Sequence, residues 1–294
     1  MKDLRHIFFN VGRDGVATAR DFVARYALAG HAEIVNDGLM AGNCHVTLRA
    51  TDPRLHLLCE EIQARFEHPP LVRAERTYTD RELEAYEWLL LRVGTAGLMG
   101  GINLGQPYDH SHACRECGAG AVPMPPLLAD LGRMGKKHLD STMDDGHIVV
   151  SQHLAGRIQA LGLTGVEIHL VQRRRGKEPD SAYRWLQITV EWPPLSAGAR
   201  IHRGKLCPHC GRSGHFDLYD EATELRYAEA PATASDWNLT WEYFGEWRLP
   251  AATIQERVGG ARCVIVSQRT RGLLRDERVR RLRFEPVMVG STQG

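Results

Sequence analysis

The sequence predicts an α+β protein in two parts, and three observations predict it. Residues 1–93 alternate short apolar strands with amphipathic helices in the order β-α-β-β-α-β. Two Cys-x-x-Cys-Gly turns, at residues 114–118 and 207–211, lie far apart in the chain and offer four thiols between them. A strand-Ser-helix-strand pattern occurs twice in the second half without a gap, from His147 and again from Cys263. The 294 residues, 43% of them hydrophobic, are enough for two cored domains.

In the first part, residues 4–11 read as a strand, and Val16, Ala19, Phe22, Val23 and Tyr26 then share one helical face. Residues 32–35 and 44–48 are two further strands, set off by Asn36-Asp37-Gly38 and Gly42-Asn43 turn signals. Asp52-Pro53 opens a second helix with Leu55, Cys59, Ile62 and Phe66 inward, and residues 71–78 close the set as a strand. That order is the order of a ferredoxin-like βαββαβ domain over residues 1–93. Thr79-Asp80-Arg81-Glu82 is a capping box, in which the Thr hydroxyl and the Glu carboxylate each satisfy an orphan amide of the first turn, and it predicts a helix over residues 80–93. Gly94, Gly97, Gly100, Gly101 and Gly105 follow, so residues 94–106 are the expected linker.

The remainder, residues 107–294, holds the repeat, with copies at 107–171 and 200–289. Each copy has an apolar strand ending in Val-Ser-Gln, and Ser151 and Ser267 are placed to cap the helices that follow. Leu154, Ile158 and Leu161 face inward in the first helix, and Thr270, Leu273 and Leu274 in the second. Val166, Ile168 and Leu170, then Leu282 and Phe284, face one way on the returning strands.

The chemistry concentrates at the two knuckles. A two-residue gap lets both thiolates of one turn face a single ion, and the following glycine permits the tight backbone that points amides at sulfur. Cys114, Cys117, Cys207 and Cys210 would complete a tetrahedron. Four soft thiolates suit one Zn²⁺ ion, and a closed shell has no position for a substrate, so the ion is structural. Each knuckle precedes one repeat copy, so a single ion would join the two modules. Seven cysteines, an odd number, in a chain that starts without an apolar signal core argue for metal over disulfides and for a cytoplasmic location. His110, His112, His209 and His215 lie near the knuckles, but four cysteines already fill the shell. Cys44, Cys59 and Cys263 read as buried small apolar residues.

Charge excludes a wholesale polyelectrolyte mode. There are 37 Lys plus Arg against 36 Asp plus Glu, a net +1, and no apolar stretch reaches membrane-spanning length. Any charged site is local. Residues 173–177 are an exposed basic loop, and Arg269, Arg271, Arg275, Arg278, Arg280, Arg281 and Arg283 make a basic face that either docks nucleic acid or is a solvated surface. The glycines of 94–105 lack the Gly-Lys-Ser/Thr of a phosphate loop. Trp237, Trp241, Tyr243, Phe244 and Trp247 form an aromatic cluster, mostly core. Asp109, His110 and His112 could do acid–base work but specify no reaction.

The two CxxCG knuckles, the Leu-Thr-Gly-Val of 163–166, Ile265-Val266-Ser267 and Phe284-Glu285-Pro286-Val287 together resemble the double-CxxCG immunity-protein family of bacterial toxin–antitoxin systems. The resemblance covers about residues 107–289 and leaves residues 1–93 outside it. It implies a cytosolic, non-catalytic protein that protects its producer by binding and blocking a cognate toxin. Two other functions stay open on the residues alone. One is a nucleic-acid-binding or regulatory adaptor using the Arg-rich face; the other is an enzyme with a site between the two domains.

Overall fold

A computed structural model of the chain describes all residues except 11–15, 27, 29, 31, 36–42, 66–69, 95–96, 144, 174–178, 218–222, 246–259 and 291–294. Met1–Thr79 with Leu218–Thr223 form one unit, and Asp80–Asp217 with Glu224–Gly294 form a second.

The smaller unit runs β1 (Lys2–Asn10), α1 (Val16–Arg25), β2 (Ala32–Val35), β3 (Asn43–Arg49), α2 (Arg54–Arg65) and β4 (Leu71–Thr77). The strands lie in the order β2-β3-β1-β4, and every neighbouring pair is antiparallel. Period-two alternation sends Ile7 and Phe9 of β1 and Cys44, Val46 and Leu48 of β3 into a core shared with Phe22, Leu28, Leu58 and Ile62. Asp52 starts α2 by accepting from the Arg54 amide at 2.9 Å. The expected elements are all present here. Phe66 and the turns at 36–42 lie outside the described residues.

The larger unit begins with α3 (Asp80–Leu83) and β5 (Trp88–Val93). The expected helix over 80–93 is therefore one turn followed by a strand. Gln268 Nε2 donates to the carbonyls of Leu83 and Tyr86 at 2.7 and 2.6 Å, satisfying acceptors where the helix stops. The run Trp-Leu-Leu-Leu is buried on both faces, with Leu89 and Leu90 at 0% and 1% exposure, and such a run has no period to separate strand from helix. The division between units consequently falls at Thr79/Asp80 rather than after residue 93. Nor do residues 94–106 behave as a linker where described. Leu98 and Gly101 are buried, 101–104 forms a 3₁₀ turn, and Gly101 at φ 52° abuts the Asp145 carboxylate so closely that a side chain there would collide.

After it come β6 (Tyr108–Asp109), β7 (Val122–Pro123), β8 (Leu127–Ala129), β9 (Leu139–Ser141), β10 (Ile148–Ser151), α4 (Gln152–Ala160), β11 (Val166–Arg173) and β12 (Pro179–Ile188). The chain continues through β13 (His202–Arg203), β14 (Ser213–Phe216), β15 (Arg226–Tyr227), β16 (Trp237–Phe244), β17 (Ala261–Ser267), α5 (Gln268–Asp276), β18 (Leu282–Pro286) and β19 (Met288–Val289). Two sheets dominate, ordered β8-β11-β12-β10-β9 and β13-β14-β16-β17-β5-β18. In the first, β12 lies between β10 and β11 and is antiparallel to both; in the second, β5 lies in the same way between β17 and β18. Both predicted caps are made, Leu154 N to Ser151 Oγ at 3.2 Å and Thr270 N to Ser267 Oγ at 3.3 Å.

Leu154 and Ile158 of α4 and Thr270, Leu273 and Leu274 of α5 are buried as expected. Leu161 is not; it is the C-cap of α4 and 43% exposed. Leu170 is exposed too; the β11–β12 register breaks just after it, from Leu170↔Arg184 to Val171↔Asp180, and Val171 is the buried residue. Among the described residues no helix is long and apolar enough to cross a membrane.

Candidate metal centre

The two knuckles have one local design. The Gly118 amide donates to the Cys114 carbonyl at 2.7 Å, and the Gly211 amide to the Cys207 carbonyl at 2.8 Å. Both glycines are left-handed, φ 78° and 70°, which returns the chain and lets amides point back at the first sulfur. Each turn closes one step wider with a second bond, Cys114 N to Ala119 O at 2.8 Å and Cys207 N to Ser213 O at 3.0 Å.

The fold then brings the turns together. The ligand atoms of Cys114, Cys117, Cys207 and Cys210 all lie within 4.8 Å of one another, the one such group found among the described residues. Cys114 Sγ is 3.8 Å from Cys207 Sγ, and Cys117 Sγ is 3.5 Å from Cys210 Sγ. A tetrahedral ion with metal–sulfur bonds near 2.3 Å needs sulfur–sulfur separations of about 3.8 Å. The four cysteines are thus placed to hold a metal ion.

Packing and polar contacts fix this placement. Cys117 and Cys207 are buried in a small cluster with Ala119 and Tyr243, against which Cys114 and Cys210 pack. The Ser213 hydroxyl donates to Cys117 Sγ at 3.3 Å, and the Tyr243 hydroxyl accepts from the Gly120 amide at 2.8 Å. The Arg212 and Arg262 guanidinium carbons each stand 5.2 Å from the Tyr243 ring centre, and both side chains pair with Glu191, at 2.5 and 2.7 Å. Burial resists ionisation at Cys114, Cys117 and Cys210. At Cys114 the amides of Cys117 and Glu116 and the neighbouring thiols outweigh burial and lower the pKa, whereas burial prevails at Cys117 and Cys210 and raises theirs. The set carries both a readily formed thiolate and buried thiols that gain from a cation.

The nearby histidines do not join the cluster. His112 and His209 are exposed, and His110 is half-buried. His215 is buried, with Nε2 3.1 Å from the Gly211 carbonyl, so it props the second knuckle from behind. Asp109 is exposed and accepts from the Ser111 amide at 2.8 Å, a turn contact that lowers its pKa. Cys44 and Cys263 are buried, and burial pushes their thiols up to about 11 and about 12; Cys59 is half-buried.

The basic face is less uniform than its sequence. Arg271 is buried and paired with Asp80, and Arg269 donates to Asp236 at 2.9 Å and to the Leu161 carbonyl at 2.8 Å. Trp237 and Tyr243 of the aromatic cluster are core, and Trp241 and Phe244 are half-buried. Residues 174–178 and Trp247 lie outside the described residues.

Sequence reasoning missed the groups supporting the knuckles, although Ser213 stands only three residues after Cys210. It also missed a cavity of about 120 Å³ lined by Tyr108, Asp145, His147, Trp185, Tyr243 and Arg262. There the Asp145 carboxylate accepts from Tyr108 Oη at 2.7 Å, from the Ile102 amide at 3.0 Å and from Thr142, with His147 Nε2 3.3 Å away. Nothing in the spacing of those residues foretells their meeting. No protein-family model matches the chain, and no curated protein matches it.

Proposed function

We propose that the chain is a zinc-stabilised, non-catalytic binding protein of the double-CxxCG immunity type, which neutralises a cognate bacterial toxin by direct binding. The observation that carries the reading is the four-sulfur cluster. Four thiols fill a tetrahedral shell, so an ion there has no open position for a substrate and acts on the fold. Zn²⁺ suits four thiolates and has no redox chemistry to disturb a structural role. Reduced thiols suit the reducing cytoplasm.

Two features support the finer architecture. The order β2-β3-β1-β4 with all pairs antiparallel favours a ferredoxin-like smaller unit. Matching serine caps, and a middle strand inserted antiparallel into each β-α-β segment, favour a duplicated module with one knuckle before each copy. A protein of this kind needs only a surface for its toxin.

The test has two parts. Metal analysis after dialysis is expected to give about one zinc per chain, the stoichiometry of one closed site. Co-expression with a toxin encoded beside this gene is expected to restore growth and to yield a complex that co-purifies. Absence of zinc removes the metal reading, and a toxin that neither binds nor is neutralised removes the immunity reading.

A further inference from the structure

A second cleft of the larger unit, about 580 Å³, opens between the turn after α5 and the segment leading into β9. Lys136, Lys137, Arg278, Arg280 and Arg281 line it against two carboxylates, Asp140 and Glu277. Both carboxylates are already engaged. Asp140 accepts from Lys137 Nζ at 2.5 Å, and Glu277 binds Arg157 Nε at 2.8 Å and His153 Nε2 at 2.7 Å. Lys136, Arg278, Arg280 and Arg281 are exposed, and among the described residues no carboxylate pairs with them.

Two of these arginines occupy backbone that favours glycine. Arg278 and Arg281 have φ 51° and 61°, and they are the non-glycine residues with positive φ among those described. In the gapless register of the two β-α-β segments they stand where the first segment has Gly162, φ 58°, and Gly165, φ 86°. The helix ends also match. Gly162 N donates to Gln159 O at 2.9 Å and Leu163 N to Ile158 O at 3.1 Å; Arg278 N donates to Arg275 O and Val279 N to Leu274 O, both at 2.9 Å. Helix termination therefore needs only the glycine that the first segment uses. The second segment accepts a strained backbone twice, and both times the side chain it gains is a cation on the same cleft.

We propose that this cleft binds a compact polyphosphate group, a di- or triphosphate either free or as the tail of a nucleotide. Guanidinium forks bind phosphate oxygens bidentately, and the volume suits a small molecule. A nucleic-acid strand fits less well, because His138 is the one ring among the lining residues on which a base could stack, and the net charge of +1 supplies no extended field. This site is separate from the sulfur cluster and does not depend on the immunity reading.

The test is calorimetric titration of the full chain with tripolyphosphate, ATP and a single-stranded oligonucleotide at low salt. Tripolyphosphate is expected to bind, more weakly as salt rises. The double variant R278G/R281G, which restores the glycines of the first segment, is expected to lose at least about tenfold in affinity while melting no lower than wild type. Lys136→Ala, at an exposed position away from both strained turns, is expected to weaken binding as well. Equal binding of ATP would assign recognition to the phosphates alone, and tighter ATP binding would assign the ligand as a nucleotide. No binding at millimolar tripolyphosphate, unchanged affinity in the variants, or tighter binding of the oligonucleotide than of either small ligand would overturn the proposal.

Discussion

Replacing Cys207 by serine tests the proposed zinc tie most directly. The hydroxyl nearly preserves volume in a residue only 2% exposed. It also leaves the knuckle's backbone bonds, Cys207 N to Ser213 O and Gly211 N to Cys207 O, free to form. What is lost is one of four sulfur ligands. An ion shared by the two knuckles closes a loop of about 90 residues, for which a cross-link is worth roughly 4–5 kcal/mol in a chain-entropy model. At about 2–4 °C per kcal/mol for a domain of this size, Cys207→Ser should melt roughly 8–20 °C lower. Circular dichroism melts with and without a strong chelator, beside metal analysis of the same samples, measure this. Cys44→Ser is the control, a buried thiol outside the cluster, whose cost of about 1–3 kcal/mol for burying a hydroxyl should leave the chelator response intact. If wild type and Cys207→Ser melt together, and the chelator moves neither, the ion does not hold these segments and the reasoning fails.

The two serine caps should separate in urea unfolding. Ser151→Ala loses the cap bond and a 3.0 Å contact between its hydroxyl and His138 Nδ1, about 1–2 kcal/mol. Ser267→Ala should cost about 2–3 kcal/mol, because Ser267 Oγ also donates at 2.6 Å to the carboxylate of Asp236, which is only 5% exposed; equal losses would show that the bond to this carboxylate adds no more than the Ser151 contact with His138. Gly162→Ala meets no atom within 4 Å and should cost about 1 kcal/mol for its left-handed backbone, whereas Gly165→Ala drives a methyl into the Trp237 carbonyl and should cost more than about 3 kcal/mol. Burial alone would raise the Asp145 pKa, but His147 and the bonds from Thr142 and Tyr108 outweigh it and hold the carboxyl below the usual carboxylate range. A lowered folded pKa contributes stability that is fully present above the unfolded value near 3.9 and is lost as pH falls toward the folded one. Wild type should therefore lose stability on acidification below about pH 5 more steeply than Asp145→Asn, and parallel curves would remove Asp145 from the acid response.

The smaller unit was legible because each of its elements carries a clean period. Ile7 and Phe9 are buried two apart on β1, and Ile62 is buried on α2 as expected; Leu58, outside the inward face read from the sequence, is buried with it, while Leu55 and Cys59 of that face are half-buried. The cysteines were legible because knuckle chemistry is local: two sulfurs, two intervening residues and a glycine define the turn by themselves. The sequence misled where the decisive contact is remote. The capping box at Thr79 does begin a helix, yet its end is set by Gln268, some 180 residues later in the chain. Trp88 to Leu91 carries no period, and only the pairing of β5 with β17 and β18 decides its state. Leu170 stands at the edge of a break in register, where the β12 partner jumps from Arg184 to Asp180, and nothing in the alternation of β11 announces that break. The strained arginines looked like ordinary members of a charged helix end, because φ cannot be read from composition.

The placement of β5 also bounds how far metal loss can go. In the first large sheet the strand between β10 and β11 is β12, the next segment of chain. In the second, the strand between β17 and β18 is β5, from residues 88–93, so that sheet cannot be completed until chain separated by more than 150 residues has met. The sulfur cluster is a second long-range closure on the same sheet, since Tyr243 of β16 and Ser213 of β14 hold the knuckles. The two closures use different atoms. Leu89, Leu90 and Leu91 remain buried on β5 whether or not sulfur is ligated, and burying such side chains is worth about 1.5–3 kcal/mol each. Loss of one cysteine thus removes a cross-link from a sheet that hydrophobic pairing still closes, so the expected outcome is a lower melting point in a chain that still folds, unlike small zinc domains whose whole core is the metal.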